Sequence, residues 1–344
     1  MHPPTRRAMY RAACWLALCL APAWSACDGG SGAQLRADMA PYATTDSMGV
    51  APHDTASIIV AARPELVESS AATMSATQPG LIFTLNDSGN DPLLFAFDTT
   101  GADRGVWRVS RATNVDWESA SPGPCAAGDS AEGAASATPR EPPRCIYIGD
   151  TGDNDAERAS RAIYRVPEPA AARAGFTGDV ASEKLTYRYA DGPHDVEAMY
   201  VGPDGAMYFI TKRSLKDGAG QRRPALVFRI PASAWRDTTR AVAELVDSLP
   251  IIPGSAPFRT ITDASLAPDA RYLAVRTYLQ VYVFATDTAT GRAFPSTPPA
   301  VCNITGLGDI SGEGITWYGS TRRLLLTNEG RREPMRVITC RLPQ

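Results

Sequence analysis

Asp195-Val196-Glu197-Ala198-Met199-Tyr200-Val201-Gly202-Pro203-Asp204-Gly205-Ala206-Met207-Tyr208-Phe209-Ile210 reads as two short strands around a tight turn. An acidic residue opens the first run, and small and apolar residues alternate after it. Gly202-Pro203-Asp204-Gly205 then supplies turn chemistry before a second apolar run. The lead-in recurs as Val67-Glu68-Ser69-Ser70-Ala71, Asp116-Trp117-Glu118-Ser119-Ala120, Ile261-Thr262-Asp263-Ala264-Ser265 and Gly312-Glu313-Gly314-Ile315-Thr316. Aligning these copies on their acids gives positions 68, 118, 197, 263 and 313. Each copy is followed by a second and a third apolar run, for instance Leu81-Ile82-Phe83-Thr84-Leu85 and Leu93-Leu94-Phe95-Ala96-Phe97. A unit of four short strands repeating about every fifty residues can bury its faces only against its neighbours. The expected fold is therefore all-β, a β-propeller, with five blades of four antiparallel strands.

The two ends of the repeat predict how the ring closes. The last copy stops at its third run, Arg336-Val337-Ile338-Thr339-Cys340, while a lone strand at residues 57–61 precedes the first. The N-terminal strand is thus expected to complete the final blade, and a sixth blade stays open if the N-terminal residues supply more than that strand. The propeller spans 57–344 as one domain, with an Ala/Gly/Pro/Ser-rich insertion at 122–143.

Charge and address narrow the function classes. With 34 basic and 37 acidic residues among 344, the net charge of −3 leaves no field to recruit nucleic acid or an anionic membrane. Arg6, Arg7 and Arg11 precede a short apolar stretch at 12–23, the pattern of an export signal covering 1–26. Trp24-Ser25-Ala26-Cys27, followed by Asp28-Gly29-Gly30-Ser31-Gly32, resembles a bacterial lipoprotein signal. That resemblance implies acylation of Cys27, a flexible tether over 27–56, and membrane contact only through the lipid. Ordinary cleavage after Ala23 or Ala26 is the alternative and gives a soluble periplasmic or extracellular monomer. Seven cysteines then divide. Cys14 and Cys19 leave with the signal, Cys27 is the anchor, and Cys125, Cys145, Cys302 and Cys340 remain to pair in an oxidising compartment. Of three connectivities the local one, Cys125 with Cys145 and Cys302 with Cys340, brackets the insertion and staples the closure.

In a blade the first strand begins on the rim where the second ends, because the two are antiparallel neighbours. Glu68, Glu118, Glu197, Asp263 and Glu313 are therefore expected at one mouth of the channel, with Asn86, Asp87, Asp150, Lys212, Arg276, Asn328, Glu329 and His194. So many carboxylates repel unless something cationic compensates. One reading places Ca²⁺ among them, as a hard cation for oxygen ligands. The other pairs Glu197 with Lys212 and Asp263 with Arg276 and ties the rest to backbone amides. The loop Asp150-Thr151-Gly152-Asp153-Asn154-Asp155 concentrates further oxygen ligands, either for calcium or as a solvated turn. His194, beside Asp195 and Glu197, is the candidate general base or an inert rim residue. HExxH, GxSxG, Walker and GxGxxG motifs are absent from the sequence, and with His53 in the tether a Ser/His/Asp triad could use only His194, which argues against serine hydrolase chemistry.

Thr84-Leu85-Asn86-Asp87-Ser88-Gly89, Asn114-Val115-Asp116-Trp117-Glu118, Tyr147-Ile148-Gly149-Asp150-Thr151-Gly152-Asp153-Asn154, Ile163-Tyr164-Arg165-Val166-Pro167-Glu168-Pro169 and His194-Asp195-Val196-Glu197-Ala198 resemble a group of uncharacterised exported bacterial β-propeller proteins. The resemblance implies the fold over about 57–344 and brings no activity with it. The acid–small–apolar strand is more distantly similar to phytase-like and gluconolactonase-like propellers, which implies a divalent ion at the channel mouth. Two functions follow as expectations. One is an envelope or secreted binding module for a small-molecule or peptide ligand. The other is a metal-dependent phosphoesterase, lactonase or esterase in which His194 and Glu197 act at the same rim.

Overall fold

The computed structural model describes residues 48–49, 56–58, 63–125, 143–212, 219, 221, 224–251, 260–307, 311–319, 322–331 and 333–343. The export signal, Cys27 and the inner part of the insertion lie outside the described residues. So does the tether, apart from 48–49 and Ala56.

Alternation of small and apolar residues makes strands, and turn residues cut them short. In chain order the strands are β1 (Met48–Gly49), β2 (Ala56–Ile58), β3 (Ser69–Met74), β4 (Leu81–Asn86), β5 (Leu93–Asp98), β6 (Asp103–Val109), β7 (Trp117–Pro124) and β8 (Arg144–Asp150). They continue with β9 (Arg161–Pro167), β10 (Thr177–Val180), β11 (Glu183–Tyr189), β12 (Val196–Val201), β13 (Met207–Thr211), β14 (Ala225–Ile230), β15 (Val242–Leu249) and β16 (Ile261–Leu266). The last are β17 (Tyr272–Thr277), β18 (Gln280–Ala285), β19 (Ala300–Asn303), β20 (Gly312–Trp317), β21 (Arg323–Asn328) and β22 (Met335–Thr339). Hydrogen bonding groups them into antiparallel four-strand arrays: β3-β4-β5-β6, β7-β8-β9-β11, β12-β13-β14-β15, β16-β17-β18-β19 and β20-β21-β22-β2. The first strands pack side by side around a closed cycle, β3 to β7 to β12 to β16 to β20 and back to β3. The fold is a β-propeller.

Outer edges are managed one by one. The β10 strand adds in parallel to β6 and β1 adds in parallel to β19. Residues 48–49, expected within the tether, thus form a strand. A short parallel pairing, Arg188 with Val242 and Tyr189 with Ala243, joins β11 to β15 and merges two arrays into one eight-stranded sheet. These additions occupy backbone groups that an open edge would present to other chains. Closure runs as the sequence implies, with Ala56 opposite Val337 and Ile58 opposite Met335.

The core lies between arrays. Phe83, Leu94, Trp107, Ile148 and Tyr164 fill one layer, and Ala274, Val283, Trp317, Leu324 and Leu326 fill another. Each large side chain removed from water there contributes roughly 1.5–3 kcal/mol. Where the first strands converge there is room only for small residues: Ala71, Ala72, Ala198 and Ala264 are essentially fully buried. Gly314 shows the limit, since a Cβ there would approach the amide nitrogen of Ala72 and the Thr327 hydroxyl at 2.5 Å.

The bridges Cys125–Cys145 and Cys302–Cys340 are both formed, with Cα separations of 4.9 and 5.8 Å. They are compatible with an exported protein, and among the described residues no helix is long and apolar enough to cross a membrane. The bridges close loops with sequence separations of 20 and 38 residues, for which loop entropy gives about 3 and about 4 kcal/mol respectively. Cys302→Ser/Cys340→Ser should therefore lower the melting temperature more than Cys125→Ser/Cys145→Ser. Equal melts, or a free thiol in the non-reduced native protein, would contradict that ranking.

Candidate functional site

One backbone device repeats at the start of every first strand. The register of each with its neighbour slips between Ser69 and Ala71, Trp117 and Ser119, Val196 and Ala198, Ile261 and Asp263, and Gly312 and Ile315. A β-bulge re-aims the side chain that falls in the slip. The bulge residues are Ser70, Glu118, Glu197, Thr262 and, in a longer slip, Glu313 with Gly314. Alignment on the acids had put Glu68 and Asp263 in this series; the structure puts Ser70 and Thr262 there instead. The acid stands two residues before the bulge in the first copy and one after it in the fourth, and alignment on residue type alone does not locate the bulge. Hydroxyls at or beside the bulges brace the next array: Ser70 donates to the Glu118 carboxylate at 2.8 Å, Ser119 to the Glu197 carbonyl at 2.5 Å, and Thr262 to the Glu313 carbonyl at 2.9 Å.

Two asparagines position the acids between the first two arrays. The Asn86 side-chain Oδ1 accepts from the amides of Val67 and Glu68 at 3.0 and 3.1 Å. Asn114 donates to the carbonyls of Asn86 and Asp87 at 2.9 and 2.6 Å and accepts from the Trp117 amide at 3.0 Å. The end of β4 is thereby held against the start of β7. Asp87, Asp116 and Glu118 come together with carboxylate oxygens all within 4.8 Å of one another, the one such group of three or more His, Cys, Asp or Glu among the described residues. Gly152 makes this possible, because a Cβ there would overlap the Asp116 carboxylate and come within 2.8 Å of Glu118.

Glu68 and Glu329 meet in an isolated bridge on the same rim. Glu313 accepts from the Tyr278 hydroxyl at 3.0 Å. The cation in their midst is Lys212, whose ammonium is ion-paired with Glu197. Burial, then the charges of Asp87 and Asp116, push Glu118 well above the ordinary carboxylate range. Burial first, then Asp87, with Arg158 opposing, raises Asp116 to about 6. Burial and Glu329 raise Glu313 to about 8 against the opposing hydrogen bond from Tyr278. Asp87 and Glu329 are also raised, mainly by burial, with like charges adding and Lys212 opposing.

The remaining expected site residues are used inside the fold. Asp263 is fully buried and accepts from the amides of Ala264 and Ile315, both at 2.8 Å. Arg276 stands opposite it in the ladder and donates to the carbonyls of Gly314 and Thr327, both at 2.7 Å. In the 150–155 loop, Asp150 accepts from Arg158 at 2.7 Å and from the Asp116 amide at 3.1 Å. Asp153 accepts from the amides of Glu157 and Arg158 and is ion-paired with buried Arg161. Asn154 and Asp155 are exposed. His194 is buried against Tyr189 and Phe228, with Nε2 at 2.9 Å from Asp191. Of the nine expected metal ligands only Glu118 belongs to the three-carboxylate group. Asp87 and Asp116, its partners, were legible only as rim and lead-in residues.

No family model and no curated protein matches the chain. Solved structures that align with it include the glutaminyl cyclase of Myxococcus xanthus, at 12% identity and TM-score 0.42, covering 83% of this chain and 96% of that one. The major Malassezia sympodialis allergen Mala s 1 aligns at 8% identity and TM-score 0.48, covering 84% and 96%. The β-propeller domain of Myceliophteria thermophila Cps50 (Swd1) aligns at 10% identity and TM-score 0.38, covering 83% and 99%. At such identities the likeness is one of fold.

The rim titrates with a definite sign. The unfolded chain releases the Glu313 proton near 4.5, whereas the fold holds it to about 8. In chelator, stability is therefore greatest below 4.5 as far as this group is concerned and is lost as pH rises from there to about 8. Glu313→Gln should flatten that part of the slope and Lys212→Met should steepen it. Thermal melts across pH 5–8 that show no difference among the three proteins would refute this account.

Proposed function

We propose that this chain is an exported β-propeller binding module whose acidic mouth holds a divalent cation, calcium before others, and presents it to a small-molecule or peptide ligand. The convergence of Asp87, Asp116 and Glu118 within 4.8 Å supports the reading most directly. The donor set fits the ion. Three carboxylates offer up to six hard oxygens, approaching the about six to eight that calcium takes, and no sulfur or imidazole competes for a softer metal. Burial is the first cause of their raised affinity for protons, and the second, the like charges of neighbouring carboxylates, is one that a bound cation would also relieve. Lys212 and Arg158 supply two tethered positive charges, already paired with Glu197 and Asp150 and fewer than the carboxylates around them. Bound calcium would supply the missing charge and polarise a ligand's carbonyl or phosphoryl oxygen. Asn86, Asn114 and Gly152 hold the carboxylates in place, and Ser70 orients Glu118. Export and lipid attachment through Cys27 rest on the N-terminal sequence.

A metal-dependent hydrolase is the second reading, favoured by Glu313. A carboxylic acid that keeps its proton to about pH 8 at a channel mouth is suited to protonate a leaving group. His194 is less suited to act as base there, because its ring is packed on Tyr189 and Phe228.

Calcium titrated into chelator-stripped protein at pH 7.5 should bind saturably and raise the melting temperature by several degrees at about a hundredfold excess over Kd. Asp116→Asn and Glu118→Gln should each weaken binding at least tenfold. Absence of heat together with an unchanged melt would end the calcium reading. Calcium-dependent turnover of p-nitrophenyl phosphate, p-nitrophenyl acetate or gluconolactone, lost in Glu313→Gln, would replace the module with the hydrolase.

A further inference from the structure

The opposite mouth of the channel has a different chemistry. There the ends of all five first strands, and the turns that follow them, enclose a cavity of about 400 Å³. Met74, Pro122, Pro203, Leu266 and Trp317 contribute one wall segment from each array, and among the described residues the one ionisable side chain in the lining is Arg144. This volume lies in the range of small-ligand sites, and the wall is apolar and polar in about equal share, the polar part including Ser75, Ser121, Ser265 and Thr316.

Arg144 is held in place from two directions. It opens β8 opposite Pro124, and the Cys125–Cys145 bridge ties together the residues next to both. Its carbonyl accepts from the Glu168 amide at 3.1 Å. The Glu168 carboxylate is already engaged elsewhere: it accepts from the hydroxyls of Ser75 and Thr77, the amide of Ala76 and the side chain of Gln78. Among the described residues no carboxylate lies within ion-pair distance of the Arg144 guanidinium. The Trp317 indole is likewise fixed, since its Nε1 donates to the Ser265 carbonyl at 2.8 Å. A fixed wall that is half apolar, with one delocalised cation that no described carboxylate pairs, is complementary to a monoanion with an apolar body.

We infer that this second mouth binds a small organic carboxylate, its apolar part against Leu266 and Trp317 and its carboxylate on the Arg144 guanidinium. The site is separate from the acidic mouth and needs no metal.

The probe is 4-phenylbutyrate, titrated calorimetrically into the full chain in chelator, with 4-phenylbutyramide as the neutral control. The acid should bind at least tenfold more tightly than the amide. Arg144→Gln should erase that preference without shifting the melting temperature, and Arg144→Lys should restore part of it. Ala76→Trp, a bulky substitution at the exposed rim, should block both compounds. Glu118→Gln, at the other mouth, should leave the affinity unchanged. Failure of the acid to bind, equal binding of acid and amide, or loss of binding in Glu118→Gln with retention in Arg144→Gln would overturn the inference.

Discussion

Everything about this molecule follows from the close approach of its first strands to one axis. Backbones that pack on one another around a closed cycle leave space for alanine, serine and glycine and little else, as Ala71, Ala198, Ala264 and Gly314 show. Larger side chains are driven outward into the layers between arrays, where the apolar core forms. Polar side chains at the starts of these strands can leave the axis only toward a mouth, and a bulge at each start turns them there. The hydroxyl braces from Ser70, Ser119 and Thr262 link each bulge to the next array, so the rim is fixed by the contact that closes the ring.

The crowding of acids at that rim is an electrostatic cost held in place by packing. Asp87, Asp116 and Glu118 would separate in an open chain; Asn114 and Gly152 keep them together. Burial first, and then a repulsion that Lys212 only partly offsets, make several of these groups titrate above their ordinary range. The other mouth carries no such charge. The two ends of one channel therefore differ in kind, one crowded with carboxylates and the other lined by apolar and neutral polar residues with Arg144 the one ionisable side chain among the described residues.

Much of this was legible in the sequence because it is local. Strand–turn–strand runs such as residues 195–210 state their own secondary structure. Their recurrence states the architecture, and the spacing of Cys125, Cys145, Cys302 and Cys340 within the repeats gives the bridges. The pairing of Lys212 with Glu197 followed from antiparallel neighbours alone. Alignment by acids went astray at Glu68 and Asp263, because a bulge changes register without leaving a mark in the alternation. His194, next to two carboxylates in the chain, is directed onto Tyr189 and Phe228, since neighbouring residues in a strand lead-in face opposite ways. The aspartates at 150 and 153 looked like ligands in a loop until Arg158 and Arg161, distant enough to be ignored in a motif, folded back onto them.

By itself the sequence determined the repeat, the fold class, the closure of the ring by an N-terminal strand and the pairing of the cysteines. Each depends on periodicity or on order along the chain. Only the tertiary structure decided which acids meet, which are neutralised by arginine or by backbone amides, and that Arg144 stands among uncharged residues at the far mouth. Those outcomes depend on distances across arrays, between residues tens of positions apart such as Asp87 and Glu118. No pattern along one strand encodes such a distance.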